Sequence, residues 1–330
     1  MFRRRSLLLI TFIAIIFFLS GCQFKTFQQV PDQDSVIAVA NVRESSVSFI
    51  NIETGEQLAK WKLEVSFTRV LLMPDNKTLM IYGRQNPDVT FINMSTGKLK
   101  QWKLGEGISN AVLSADQKMI YFAERNMNKV LFYDLEGEKK GEVEVGESPY
   151  TMIPTPDYQS LIVYHLNGAS LSIIDLKTLK VKTTLTTNDN PMGGLYIAQT
   201  NELWVGGHGA GAEPEQNISV FSLSNGQKKR EFPAQVMPVD FLTMDDKNAF
   251  VLSHGNNTLY RFDIPTGNET GRLHLGANPL GLAAGKKMLY VSSYDSNQVF
   301  EVDPVTLKVT NTFNVGSGRL QIVVREGVGT

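Results

Sequence analysis

Short apolar runs recur along the chain at intervals of about forty residues. VSFI, VTFI, VLFY, LSII, ISVF, LYRF and VFEV each lead into a polar corner such as IETGE (52–56), MSTGK (94–98) or IPTGN (264–268). The residue that opens the corner marks each copy: Asn51, Asn93, Asp134, Asp175, Ser222, Asp263 and Asp303, spaced by 42, 41, 41, 47, 41 and 40 residues. Thirteen residues before a marker another strand begins, as at Met80, Tyr121, Phe250 and Tyr290. Asp75, Asp116, Asp157 and Asp245 precede such strands by five residues, the first three in Pro-Asp or Ala-Asp contexts that form tight turns. Beyond each corner a further strand, for example LKQWKLG (99–105) or VTNTFNVG (309–316), closes the unit. Each copy is thus about four short strands with no helical period between them, the repeat length of a propeller blade.

The corner has its own chemistry. An Asp or Asn marker accepts backbone hydrogen bonds from residues just beyond it, and the glycine after Thr adopts a positive φ without a Cβ penalty. Leu179 and Leu307 replace that glycine in the fourth and seventh copies, so a different turn type is expected there. The strands before the corners are apolar at adjacent positions, unlike a sheet with one wet face. They fit small sheets buried between neighbours in a ring. The first copy starts at VIAVAN (36–41) and lacks the strand that opens every other copy, while RLQIVV (319–324) supplies one at the far end. The expected fold is therefore all-β: a seven-bladed β-propeller over residues 35–330, with four-stranded blades and the first blade closed by the C-terminal strand.

The repeats resemble those of the YVTN family of bacterial β-propellers. YVSSYDSNQVFEVDPVTLKVTNTFNVG (290–316) and PDNKTLMIYG (74–83) carry the likeness, which extends over roughly residues 36–324. The WD dipeptide of WD40 repeats is absent, and GH, which occurs at Gly207-His208, does not recur with the repeat. Trp61 and Trp102 stand two residues too late for quinoprotein-type repeats.

Before the ring, Arg3, Arg4 and Arg5 precede an apolar stretch, 7–19, and then Leu19-Ser20-Gly21-Cys22. This ending is similar to a bacterial lipobox, which implies diacylglycerol on the Cys22 sulfur and cleavage before it. The alternative is an uncleaved span, but one needs about 20 apolar residues. Residues 1–21 are expected to be a lipoprotein signal peptide, and 22–34 the lipidated cysteine with a short tether. The expected location is the cell membrane, lipid-anchored and facing outside the cytoplasm. Cys22 is the single cysteine, so no intramolecular disulfide can form. With 32 Lys plus Arg against 33 Asp plus Glu, the net charge of −1 gives no general attraction to nucleic acid, and none is expected as partner.

Fold alone does not give function. Loops at one mouth of the ring are the place for a site. The second strands end at Val42, Arg84, Arg125, Leu166, His208, His254 and Tyr294, and the inter-blade loops add Arg69, Tyr150, Asp189, Asn190 and Arg319. The binding-rim candidates are Arg69, Arg84, Arg125, Tyr150, His208, His254, Tyr294 and Arg319, a basic and aromatic set suited to an anionic or glycan-like partner. The bland alternative is a solvated polar rim. His165, His208 and His254 fall near one mouth, with Glu213 and Glu215 beside His208, but no HxxxH or HExxH spacing supports a metal site and none is assigned. GGHGAG (206–211) lacks GxxxxGK[ST] and suits an irregular insertion; no GxSxG elbow is present. No catalytic residue or cofactor is assigned. The leading reading is a monomeric, non-catalytic binding or scaffold propeller for a protein or cell-wall/glycan partner. Two others stay open: a channel-mouth enzyme (a lactonase-like hydrolase or metal-dependent lyase, for which Glu124, Arg125, His208 and His254 are the raw material), and an accessory subunit of an envelope-assembly or redox complex.

Overall fold

The computed structural model describes residues 26–276 and 278–327. Thirty strands, β1–β30 in chain order, form seven four-stranded sheets and one two-stranded sheet. The seven are propeller blades. Their inner strands are β4 (Arg69–Leu72), β8 (Ile108–Leu113), β12 (Pro149–Pro154), β16 (Pro191–Ile197), β22 (Pro238–Thr243), β26 (Pro279–Ala284) and β30 (Arg319–Arg325). Blade 1 runs in the order β3 (Gln57–Lys62), β2 (Ser46–Asn51), β1 (Val36–Asn41), β30, so the C-terminal strand completes it.

Burial follows position within the blade. The second strands are buried on both faces: β1 and β17 (Glu202–Gly207) have no residue open to solvent, because each lies between two neighbouring sheets. Outer strands are polar and send a few large side chains inward, among them Trp61, Val143, Leu185 and Phe313. The insertion 206–216 is more ordered than expected: Gly209–Ala210 and Glu213–Pro214 pair as a small hairpin, β18 and β19.

The corners differ from expectation at two places. Asn51 Oδ1 accepts the Glu53 and Thr54 N–H groups at 2.9 Å, as an Asx turn requires. Asp303 does the same for Val305 and Thr306. Leu179 and Leu307 do not change the turn type. They adopt φ of 51° and 50° and donate to Asp175 O and Asp303 O at 2.9 Å, as Gly55 donates to Asn51 O. The reason is packing. A Cβ on Gly141 would lie 2.6 Å from Leu179 Cδ1, and one on Gly271 would lie 2.7 Å from Leu307 Cδ1. In these two corners a leucine from one blade fills a place the previous blade leaves empty; where the corner carries Gly226 or Gly267, Leu185 or Phe232 of the previous blade fills it instead. Burial of leucine outweighs about 1–2 kcal/mol of left-handed strain. Leu307→Gly is expected to lower stability by about 2 kcal/mol in a denaturant titration, the cavity cost less the relieved strain. A gain in stability would show that strain dominates.

The expected tether is largely part of the fold. From Phe27 onward it lies on the lower face, where the corners gather, against blades 1 and 2. Phe27 and Val30 donate to Gly97 O at 3.0 Å and Met94 O at 2.8 Å, and Val30 is fully buried. Trp61 Nε1 donates to Gln28 O at 2.7 Å, and Lys77 pairs with Asp32 at 2.7 Å. Gly97 is required here, since a Cβ would meet the Phe27 carbonyl at 2.1 Å. Cys22 and the signal-like stretch lie outside the described residues.

Candidate functional site

The upper face carries the loops after the second strands and those between blades. Near this face six of the seven inner strands break register with their neighbours, as at Ile108/Asn110, Pro149/Met152 and Pro238/Asp240. Bulges of this kind re-aim side chains. In β12 the break takes in Tyr150 and Thr151, and both line the central channel. β4 has no break and pairs Arg69 with Tyr82 directly.

A cavity of about 280 Å³ occupies the channel, lined by Arg69, Asn110, Tyr150, Asp240 and Gln321 among apolar neighbours. Arg69 reaches from blade 2 to blade 4, where its Nη2 donates to the Tyr150 hydroxyl and its guanidinium carbon lies 4.8 Å from the ring centroid. Tyr82 Oη accepts the Ala111 N–H at 3.0 Å and donates to Asn110 Oδ1 at 3.2 Å; burial pushes this phenol up to about 12. Asp240 Oδ2 accepts Leu282 N–H at 2.8 Å and Oδ1 accepts Phe241 N–H at 3.0 Å. Burial raises its carboxyl to about 6, with those two bonds and the Arg69 charge pulling the other way. Part of the Arg69, Tyr150 and Asp240 side chains faces the lumen, where a small molecule can reach them, while Tyr82 is buried behind it.

The candidate rim divides into separate groups. Arg69 and Tyr150 meet inside the channel. His208 and His254 meet on the upper face with ring centroids 6.0 Å apart, and burial, then His254, holds the His208 pKa below its ordinary value. Arg84 is exposed, Arg125 Nε donates to Ser148 Oγ at 3.2 Å, and Tyr294 lies under Arg43 at 4.4 Å. Arg319 opens β30 opposite Asn41, and its side chain lies outside the described residues. Asn190 holds the hairpin insertion through Gly209 O at 2.7 Å, and Asn188 holds Glu215 Oε2 at 2.6 Å.

Two groups considered for chemistry serve the fold. His165 is buried; its Nε2 accepts Gly146 N–H at 3.1 Å, so Nδ1 carries the proton and donates to Ser170 Oγ at 2.8 Å. Burial lowers its pKa to about 4. Glu124 is buried and caps its own loop, accepting Asn126 and Met127 N–H at 3.0 and 2.7 Å. Among the described residues no three His, Cys, Asp or Glu side chains converge as metal ligands. Sequence reasoning missed Asp240 and Arg43. The signal for Asp240 was present: it is the only carboxylate in any of the seven inner strands.

No known protein family matches the chain, and no curated protein matches it. Solved structures do. A functionally unknown protein from Desulfotomaculum acetoxidans DSM 771 superposes with a TM-score of 0.73 at 12% identity, over 88% of this chain and 99% of that one. Kuenenia stuttgartiensis hydrazine synthase gives 0.70 at 17% identity, over 87% and 99%. Dihydro-heme d1 dehydrogenase NirN in complex with DHE gives 0.65 at 12%, over 89% and 66%. The likeness is one of fold. At such identities neither the chemistry nor the partners of those proteins transfer.

Proposed function

We propose that the protein is a lipid-anchored, extracytoplasmic binding propeller of the YVTN kind that presents its upper face to a protein or envelope-polymer partner. One observation carries this reading: the segment 27–34, which leads from Cys22 into the ring, is packed on the lower face, opposite the loops of the mouth. A lipid on Cys22 would hold the lower face toward the membrane and leave the mouth turned outward. Arg84, the Arg43–Tyr294 pair and the histidine pair then face the partner. The binding reading is preferred to the enzymatic one because His165 and Glu124 are committed to structure and, among the described residues, no carboxylate is bound to the histidine pair.

A photo-crosslinking residue placed at Arg84 in intact cells is expected to give one defined adduct, and the same residue at Asp75 on the lower face none. Cys22→Ser should release the protein from the membrane fraction. Equal adducts from both faces, or membrane retention of Cys22→Ser, would overturn the reading.

A further inference from the structure

We propose that the central channel is a binding site for a small monocarboxylate with a short apolar body, its oxygens docked on the Arg69 guanidinium. The inference concerns the lumen, not the mouth, and does not depend on the partner proposed above.

The first support is an incomplete pairing. A guanidinium has five N–H donors. Among the described residues only Nη2 of Arg69 has a partner, the Tyr150 hydroxyl. Its other donors are neither bonded nor sealed against protein atoms, so they face the cavity. Burial acts against the Arg69 charge, and Tyr150, Tyr82 and Asp240 offset it enough to keep the group cationic. Asp240 is not its ion-pair partner: its carboxyl oxygens accept the Leu282 and Phe241 N–H groups, and among the described residues no ion pair or hydrogen bond joins it to Arg69. An enclosed cation with open donors and no contacting carboxylate is a receptor for an anion.

The second support is the shape and lining of the space. At about 280 Å³ it sits just below the usual range of ligand pockets, which limits the occupant to a small molecule. Leu71, Val112, Val239, Leu280, Leu282 and Ile322 form its walls. Among the described residues Arg69 is the cation of a lumen whose walls are part polar and part apolar, which suits a carboxylate with a hydrocarbon body. Inorganic phosphate has no hydrocarbon body for these walls and brings more polar atoms than Arg69 can pair.

Asp240 sets the pH dependence. The strands packed against β22 are β16, β17, β23 (Asn248–Ser253) and β26; their one charged residue is Glu202 of β17, paired with Lys229 and Arg230, and among the described residues the ionisable groups that line the lumen beside Asp240 are Arg69 and Tyr150. With its carboxyl raised from 3.8 to about 6, Asp240 is mostly neutral at pH 5.5 and the lumen is net positive. At pH 7.5 it is ionised and opposes a second anion. The native protein keeps a proton that the unfolded chain has lost between about pH 4 and pH 6, so unliganded stability falls as pH rises through that window and is level above it.

The test is calorimetric titration and thermal shift of the full chain in detergent, with butyrate, benzoate and inorganic phosphate at pH 5.5 and 7.5. Butyrate or benzoate is expected to bind at pH 5.5 and roughly tenfold or more weaker at pH 7.5, following the protonated fraction of Asp240. Phosphate is expected not to bind. Arg69→Gln should abolish binding, and Asp240→Asn should remove its pH dependence. Should Arg69→Gln fail to fold, Leu280→Trp, which fills the lumen without touching the charges, should block binding instead. Absence of binding by both carboxylates at pH 5.5, equal binding of phosphate, or full binding by either blocking variant would overturn the proposal.

Discussion

A chain ending at Gly318 is expected to lose its cooperative thermal transition, or to melt more than about 10 °C below the full chain, in differential scanning calorimetry. The missing strand pairs with β1 through six residues, from Val36↔Arg325 to Asn41↔Arg319. Ile322 and Val324 pack toward blade 7, and Val323 toward the core shared by blades 1 and 2. Arg325 is 2% exposed; its Nη2 donates to Pro31 O and to Asp34 O, the latter at 2.8 Å. Asn76 Nδ2 reaches Glu326 O at 2.9 Å, and Gly327 N reaches Ser35 Oγ at 3.0 Å. Losing buried Ile322 with half-buried Val323 and Val324, where a fully buried side chain is worth about 1.5–3 kcal/mol, costs on the order of 4 kcal/mol, a large part of the whole stability of many domains. The fully buried β1 would also become an open sheet edge, which invites aggregation. An unchanged melting temperature would disprove that the tail closes the ring.

Trp61→Ala should be nearly as damaging, by about 3–5 kcal/mol in a denaturant titration. Trp61 is 1% exposed, with ring centroids 4.3 Å from Phe49 and 5.3 Å from Phe27, and its Nε1 holds Gln28 O. It is the outer-strand residue that joins blade 1 to the N-terminal segment. Its loss is expected to free that segment before the ring opens, so hydrogen exchange at the Phe27 and Val30 amides should speed up more than exchange in β9 (Met119–Glu124). Uniform acceleration across both would mean that the segment contributes nothing of its own. The control Trp102→Ala should leave exchange at Phe27 unchanged.

Much of the architecture was legible because a propeller repeats its local rules. Seven phased corners, adjacent apolar pairs and a spare C-terminal strand each express short-range geometry, which a single pass along the chain can read. The leucines at 179 and 307 were misjudged for the opposite reason. What permits their left-handed corners is the vacancy above Gly141 and Gly271 in the preceding blade, some forty residues earlier and invisible from the turn itself. The packing of residues 27–34 is decided in the same way: the stretch is polar and short by sequence, and only the groove beside Trp61 and Gly97 gives it somewhere to lie.

The site divides along the same line. Which loops reach the upper face follows from strand order, so Arg84, His208, His254 and Tyr294 could be placed there from sequence. Which side chains meet does not follow from it. Arg69, Tyr150 and Asp240 come from blades 2, 4 and 6 and converge on one lumen because the ring curves back on itself. Depth in the channel, a property of the closed ring, raises the Asp240 carboxyl and leaves Arg69 without a contacting carboxylate. Sequence determined the blades and their order, since strand and turn preferences act over a few residues; closure of the circle decided the chemistry at its centre, since burial and electrostatic fields act through space.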